Sequence, residues 1–185
     1  MTQTDAGTDG VAPFPLEPNT ELYDPLTGLP GPVLLIDRLE VALASARRRG
    51  GRVAVFVLFD ACLTGAGEPP VWIVANRLRS LVRPDDTVAR ATNRTFAVVC
   101  NAVTSTADAE SIADRLLEPV GGSCRLGLAI GGPRKDARAL LARAVHRAAS
   151  APAKSTMPAR SDAVPTVGSE AGVQERDRRC SEQPW

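Results

Sequence analysis

Charged side chains cluster in fourteen residues near the middle of the chain, and this is the first place to look for chemistry. The segment runs from Arg83 to Phe96 and reads RPDDTVARATNRTF. Its polar centre lies between two apolar stretches, and Asn93 tolerates the positive φ of a tight turn, so the pattern predicts a β-hairpin. The charged residues of the segment are Arg83, Asp85, Asp86, Arg90 and Arg94. The hairpin could carry out chemistry, bind a ligand or only close a sheet.

The composition of the chain argues against several classes of function. Of the 185 residues, 44% are hydrophobic and the formal net charge is +1, so no strong field would recruit nucleic acid or an acidic membrane. Aromatic residues make up only 4%, too few for the stacking surface of a single-strand nucleic-acid binder. We therefore expect no nucleic-acid partner. The four cysteines form no C-x-x-C pair, which predicts reduced structural thiols rather than a zinc site or disulfide framework.

The two ends of the chain differ in character from its centre. The first ten residues lack the basic and apolar regions of a signal peptide, and the apolar run at 53–59 has the length of a strand, so we expect no membrane span and a cytoplasmic protein. Residues 1–21 and 152–185 are rich in proline and polar residues without periodicity. They predict a disordered leader and a disordered tail around one domain at 22–151.

Apolar periodicity predicts the elements that must position the charged hairpin. Apolar residues recur every three or four positions in four segments, as in amphipathic helices. These segments are 32–49, 70–82, 105–120 and 136–150. Apolar runs predict strands at 52–60, 87–91, 95–101 and 124–130. From the first strand onward the order is βαββαβ, with a further helix on either side, which predicts an α/β (α+β) fold with helices packed on a sheet.

Several separated motifs resemble those of GGDEF domains, the diguanylate cyclase family. Residues 24–30, DPLTGLP, are similar to the family's opening D-x-L-T-G-L-P-N-R, and residues 77–90 resemble the stretch before its signature hairpin. The later pieces that resemble the family, in its order, are 96–99, 126–129 and 140–144. The resemblance covers about residues 22–151 and implies a βαββαβ sheet with packed helices, similar to ferredoxin and cyclase-palm folds.

The resemblance also implies which groups an active member would need. Cyclases of this family join two GTP molecules into cyclic di-GMP on two metal ions, which carboxylates hold at the end of the first central strand and at a hairpin turn reading G-G-[DE]-E-F. The corresponding turn here is Thr92, Asn93, Arg94 and Thr95, followed by Phe96. A cation and a hydroxyl therefore stand where acids are expected. We expect a vacated turn with no catalytic residues and no metal site.

Other family groups are missing as well. Phe59 stands at the first metal position, and Asp60 is one residue out of register, so its side chain would point to the opposite face of the sheet. Residues 63–69, LTGAGEP, replace the stretch that carries the family's phosphate- and guanine-binding groups. We expect no cofactor; Mg²⁺ would be required only if the chain were an active cyclase.

One piece of family chemistry is present. Arg83-x-x-Asp86 resembles the inhibitory site that binds the product cyclic di-GMP. An arginine fork can donate to guanine O6 and N7, and a carboxylate can accept from guanine N1–H and N2–H. Arg90, and Arg79 or Arg77, could contact phosphates. A structural role is equally concrete, because Arg83 could complement a helix end and Asp86 could form a local turn bond.

Three functions follow from these observations. The first is a catalytically inactive, regulatory GGDEF protein that binds cyclic di-GMP through Arg83 and Asp86. The second is a module for protein contacts, either as a homodimer or with a signalling partner, without a nucleotide. The third is an active diguanylate cyclase, which the residues of the turn disfavour.

Overall fold

Four helices and five strands make up the described part of the chain. The computed structural model describes residues 22–59, 70–118, 120, 122–132 and 134–156. The elements are α1 (Pro32–Arg49), β1 (Val53–Phe59), α2 (Val71–Leu81), β2 (Thr87–Thr92), β3 (Thr95–Cys100), α3 (Thr106–Leu117), β4 (Gly122–Gly131), α4 (Ala137–Ser150) and β5 (Lys154–Thr156). The predicted βαββαβ order with flanking helices is confirmed. The predicted leader, residues 60–69 and the tail beyond 156 lie outside the described residues.

The strands form an antiparallel sheet in the order β2-β3-β1-β4-β5. β1 lies between β3 and β4, and all its residues except Phe59 are buried, as expected for a strand covered on both faces. β5 is a correction to the prediction, because its three residues were assigned to the disordered tail. Its backbone pairs with residues 122–124, a contact that the short polar sequence KST does not signal.

Each face of the sheet carries its own apolar cluster. Alternate residues of β1 point to opposite faces, so Phe56 and Leu58 join one cluster and Val55 and Val57 join the other. The first cluster includes the apolar sides of α2 and α3, and the second includes those of α1 and α4. The strand that the two clusters share ties them into one packed unit.

Local signals fix the helix ends. Pro32 occupies the first turn of α1, and Gly50 ends it in the left-handed conformation at φ 72°. Ser105 Oγ accepts from the Asp108 backbone N–H at 3.0 Å, and Asp136 caps α4 by accepting from the Ala139 N–H at 2.8 Å. Among the described residues, none of the helices combines the length and apolar character needed to cross a membrane.

Candidate functional site

The predicted hairpin is present and consists of β2, a two-residue turn and β3. Thr92 pairs with Thr95 beside the turn, and Thr87 pairs with Val99 at the other end. The Arg94 N–H donates to Thr92 Oγ1 at 3.3 Å. The prediction of a positive φ at Asn93 is wrong: within the described ranges, Ala102 is the non-glycine residue with positive φ. A register shift lies between Arg90 and Thr92, just before the turn.

The described strand ends beside this turn carry no carboxylate of their own; the Asp24 carboxylate reaches this end only as the ion-pair partner of Arg90. Phe59 pairs with Thr95 on one side and with Arg125 on the other. The Arg125 guanidinium lies over the Phe59 ring, 5.8 Å from its centroid, and Thr95 is buried. Across the described ranges, no group of three or more His, Cys, Asp or Glu side chains is arranged to hold a metal ion. Asp60 and the segment 63–69 lie outside these ranges.

Asp86 lies at the opposite end of the hairpin and is held by two backbone donors. Its Oδ2 accepts from the Arg83 N–H at 3.1 Å, and its Oδ1 accepts from the Asn101 N–H at 2.9 Å. The Asp86 N–H donates to Arg83 O at 3.0 Å, and Asn101 Nδ2 donates to Asp85 O. Asp86 thus makes the local turn bond considered from the sequence, and it also fixes the turn to the residue after β3.

The Arg83 guanidinium is available for a ligand. Arg83 follows Val82, the C-cap of α2, and is exposed. Within the part of the chain that the structure describes, its guanidinium makes no hydrogen bond or ion pair. Arg83 and Asp86 share the lining of a small depression of about 40 Å³ with Asp108 and Arg115 of α3.

Sequence reasoning did not find Arg115. It belongs to no motif quoted above, and only the packing of α3 brings it to the depression that contains Arg83. The pKa of the nearby Asp108 carboxyl is lowered, chiefly by hydrogen bonds from the Thr104 N–H and hydroxyl. Desolvation opposes this shift, and Arg83 and Arg115 make still smaller contributions that lower the pKa. This side of the molecule therefore presents arginines next to ionised carboxylates.

Arg90 takes part in a different contact from the one predicted. Its Nη1 donates to both carboxylate oxygens of Asp24, at 3.0 and 2.9 Å, and its Nη2 donates to Asn93 O at 3.3 Å. The two side chains are only 9% and 14% exposed. Arg90 lines neither of the depressions that Arg83 lines. A role of Arg90 in ligand binding stays a prediction, and its guanidinium already hydrogen-bonds to Asp24 and Asn93.

Asp24 organises the opening turn that Arg90 contacts. Its Oδ2 accepts from the Thr27 N–H at 2.8 Å and from the Thr27 hydroxyl at 2.6 Å. Burial alone would raise the pKa of the Asp24 carboxyl, but the hydrogen bonds from Thr27 and Arg90 outweigh burial and hold this pKa below its ordinary value. The motif at 24–30 is therefore a structural support for the hairpin.

Comparisons with known proteins agree with this geometry. No family model matches the chain. Over 107 residues, 54% of the chain, it is 36% identical to the bifunctional diguanylate cyclase/cyclic di-GMP phosphodiesterase MucR of Pseudomonas aeruginosa, and the match spans only 16% of that protein. The solved GGDEF domain of TpbB (YfiN) from the same species is 27% identical with a TM-score of 0.60, over 70% of this chain and 87% of that one.

A third similarity concerns the fold alone. The GGDEF domain of DgcB from Caulobacter crescentus, solved in complex with c-di-GMP, is 18% identical with a TM-score of 0.58. The match covers 70% of this chain and 88% of that one. The mixed α/β fold, an antiparallel sheet with four packed helices, is thus shared with solved GGDEF domains.

Proposed function

Because this chain contains a GGDEF domain, we propose that it is a regulatory receptor that binds cyclic di-GMP at Arg83 and Asp86 and does not synthesise it. The proposal rests on one observation: in the described residues, the Arg83 guanidinium makes no hydrogen bond or ion pair, while the nearby Asp86 carboxylate is held in place by backbone hydrogen bonds. Arg83 has no ion pair among the described residues, although Asp86 lies three positions away. The two backbone donors that hold Asp86 leave Arg83 available to a ligand.

The Asp86 carboxylate keeps acceptor capacity for a guanine. A carboxylate offers about four acceptor sites; one on each oxygen accepts a backbone N–H, and the Cys100 thiol also hydrogen-bonds to the carboxylate. The remaining acceptor capacity suits a guanine N–H, while the Arg83 fork suits O6 and N7. Because backbone hydrogen bonds fix the carboxylate before the ligand arrives, little ordering of Asp86 is required on binding. A GGDEF domain of the same fold, from DgcB, was solved with cyclic di-GMP.

The proposed lack of synthesis rests on the other end of the hairpin. Metal-assisted phosphoryl transfer needs carboxylates to hold the ions that stabilise developing charge. The turn carries Arg94 and Thr95, and the neighbouring strand ends carry Phe59 and Arg125. Guanidinium groups repel a divalent cation. The hairpin spans roughly 17 Å from Thr87 to Thr92, at about 3.3 Å per residue, so a change of residues at the turn leaves the Arg83 end intact.

Isothermal titration with cyclic di-GMP tests the receptor. We expect binding by the native chain and a loss of at least about tenfold in affinity for Arg83→Ala, because a charged hydrogen-bond donor is removed. Arg138→Ala is the matched control: it removes the same charge from an exposed position on α4 that lines neither depression. No heat from the native chain, or equal heat from Arg83→Ala, would contradict the proposal.

A turnover assay tests the proposed inactivity separately. The native chain is incubated with GTP and either Mg²⁺ or Mn²⁺, and the products are separated by chromatography. We expect no cyclic di-GMP above a control without protein. Product above that control would overturn the proposed loss of synthesis and favour the active cyclase.

Exposed apolar side chains support a second candidate, a module for protein contacts. Leu22, Tyr23, Leu26 and Val33, on the opening turn and at the start of α1, are all at least half exposed. Such side chains on one stretch of surface are typical of interaction sites. Analytical ultracentrifugation of the native chain and of Leu26→Ser tests this candidate. A native dimer that dissociates in the variant would favour it, and a monomer at all concentrations would count against self-association.

A further inference from the structure

A second, larger groove of about 810 Å³ lies along α1. Three polar lining residues of α1, Arg38, Ser45 and Arg49, are separated by seven and four positions, so they share one side of the helix. Arg79, in the last turn of α2, and Arg83, just beyond it, line the same groove. Two helices therefore direct arginines toward a single cavity.

The charges of this groove are poorly compensated. Its lining includes four arginines and two aspartates, and one of these, Asp86, already accepts two backbone hydrogen bonds. In the described residues, the guanidinium groups of Arg38 and Arg79, like that of Arg83, make no hydrogen bond or ion pair. Arg49 Nε donates to the neutral Ser45 hydroxyl at 3.1 Å. An anion in the groove would relieve the repulsion among these cations.

The rest of the lining is suited to a small molecule with an organic part. Buried apolar side chains are interleaved with the arginines, and Tyr23 lies half exposed at the lining. These apolar residues are Leu29, Ala42, Ala46, Val53, Val88 and Val99. Asn101 also lines the groove, and its Oδ1 is buried without a hydrogen-bond partner in the structure. The volume falls within the range of about 300–1,000 Å³ found for small-molecule sites.

We propose that this groove binds a ligand with a chain of linked phosphates, either a nucleoside triphosphate or inorganic polyphosphate. Guanidinium forks match phosphate oxygens in charge and geometry. Eleven residues of helix separate Arg38 from Arg49, which is roughly 16 Å at 1.5 Å per residue. A single phosphate cannot span that distance, whereas an extended polyanion can. Arg83 and Asp86 line both depressions, so the groove adjoins the proposed cyclic di-GMP site, but its contacts with Arg38, Ser45 and Arg49 of α1 are its own.

Calorimetry of the full chain with tripolyphosphate and with ATP, without added metal, tests the groove. We expect both to bind, and Arg38→Ala and Arg49→Ala each to weaken binding about tenfold, as for loss of a charged hydrogen bond. Arg48→Ala is the matched control, because Arg48 lies in the same turn of α1, is exposed and does not line the groove. Its affinities should stay close to the native values.

The outcomes distinguish a nucleotide ligand from a simple polyphosphate, and they distinguish the groove from the receptor site at Arg83 and Asp86. Tighter binding of ATP would assign part of the recognition to the nucleoside, and equal binding would assign it to the phosphate chain; both support the groove. The proposal is overturned if neither compound binds, or if Arg48→Ala weakens binding as much as Arg49→Ala. Titration of cyclic di-GMP into Arg49→Ala should match the native chain, so a failure of this groove leaves the receptor at Arg83 and Asp86 standing.

Discussion

At the residue scale, the carboxylate of Asp24 joins two segments that are 66 positions apart in the chain. It accepts two hydrogen bonds from Arg90 and two from Thr27, and both members of the ion pair are largely buried. A buried ion pair of this kind contributes little relative to an apolar replacement, but removing one partner leaves the other charge uncompensated. The fold therefore depends on both members being present.

We predict that Asp24→Asn lowers the free energy of unfolding by about 1–3 kcal/mol at pH 7. The folded-state pKa of Asp24 lies below its unfolded value, so its stabilising effect is complete above the ordinary pKa of about 3.9 and is lost as the pH falls through the folded pKa. Urea unfolding from pH 7 down to pH 3 measures the difference, which should shrink below about pH 4. The control is Asp37→Asn, at an exposed position of α1; an equal loss there would contradict the assignment.

Cys100 should be inert in the folded protein. Burial raises the pKa of its thiol to about 12, and the charge of Asp86 adds to the shift. Since the thiolate is the nucleophile, iodoacetamide at pH 8 should modify Cys100 only after unfolding. Peptide mapping by mass spectrometry, with and without guanidinium chloride, gives the extent of reaction. Rapid modification of the native protein would show that the thiol is accessible.

At the scale of elements, the contact between β4 and α4 depends on one glycine. A Cβ built at Gly127 would lie 2.0 Å from Ala144 O and 2.3 Å from Ala148 N, both backbone atoms of α4. Real Cβ atoms do not approach a backbone so closely, and the helix backbone cannot move aside without disturbing the apolar cluster beneath it. Close packing of this helix on the sheet therefore requires the absence of a side chain.

Gly127→Ala should destabilise the protein by about 3 kcal/mol, at the upper end of the cost of inserting a methyl group into a packed interior. Gly132→Ala is the matched control, since a Cβ there would meet nothing within 4 Å. Thermal unfolding followed by circular dichroism compares the two variants. Equal midpoints would mean that α4 can shift to accept the methyl group.

The elements themselves could be predicted from the sequence because their signals are local. Pro32, the Ser105 cap and the glycine after α1 act within a few residues, and the helices lie within the segments that apolar periodicity predicts. The backbone conformation of the hairpin turn could not be predicted, because Asn93 does not adopt positive φ and the strand before the turn contains a register shift. Turn propensity at Asn93 predicts that the chain reverses there, but the backbone conformation of the turn also depends on how β2 and β3 pair.

At the scale of the whole molecule, both apolar clusters share β1, so the sheet and its four helices should unfold as one unit. The candidate sites were harder to predict than this architecture. Arg83 and Asp86 lie close in sequence and could be found as a motif. Arg115, the Asp24–Arg90 contact and the arginine groove arise from packing between distant segments, for which one sequence offers no local signal.

Comparing the fragments 22–151 and 22–156 tests the predicted domain limits. We expect each to unfold in a single transition, with Trp72 fluorescence and circular dichroism giving the same midpoint. The shorter fragment should be less stable by about 1 kcal/mol, because it lacks the backbone hydrogen bonds between β5 and β4. Separate midpoints for the two probes in the longer fragment would show that the two faces of the sheet unfold independently.

The Asp24–Arg90 pair also has a mechanical consequence. Arg90 Nη1 donates to Asp24 and Nη2 donates to Asn93 O, and the Arg90 backbone N–H donates to Pro30 O. Tension on the backbone near residue 24 would therefore act on the hairpin through Arg90 as well as on α1 through the backbone. Through these contacts, a force on the opening turn can displace residues 92–95 of the hairpin.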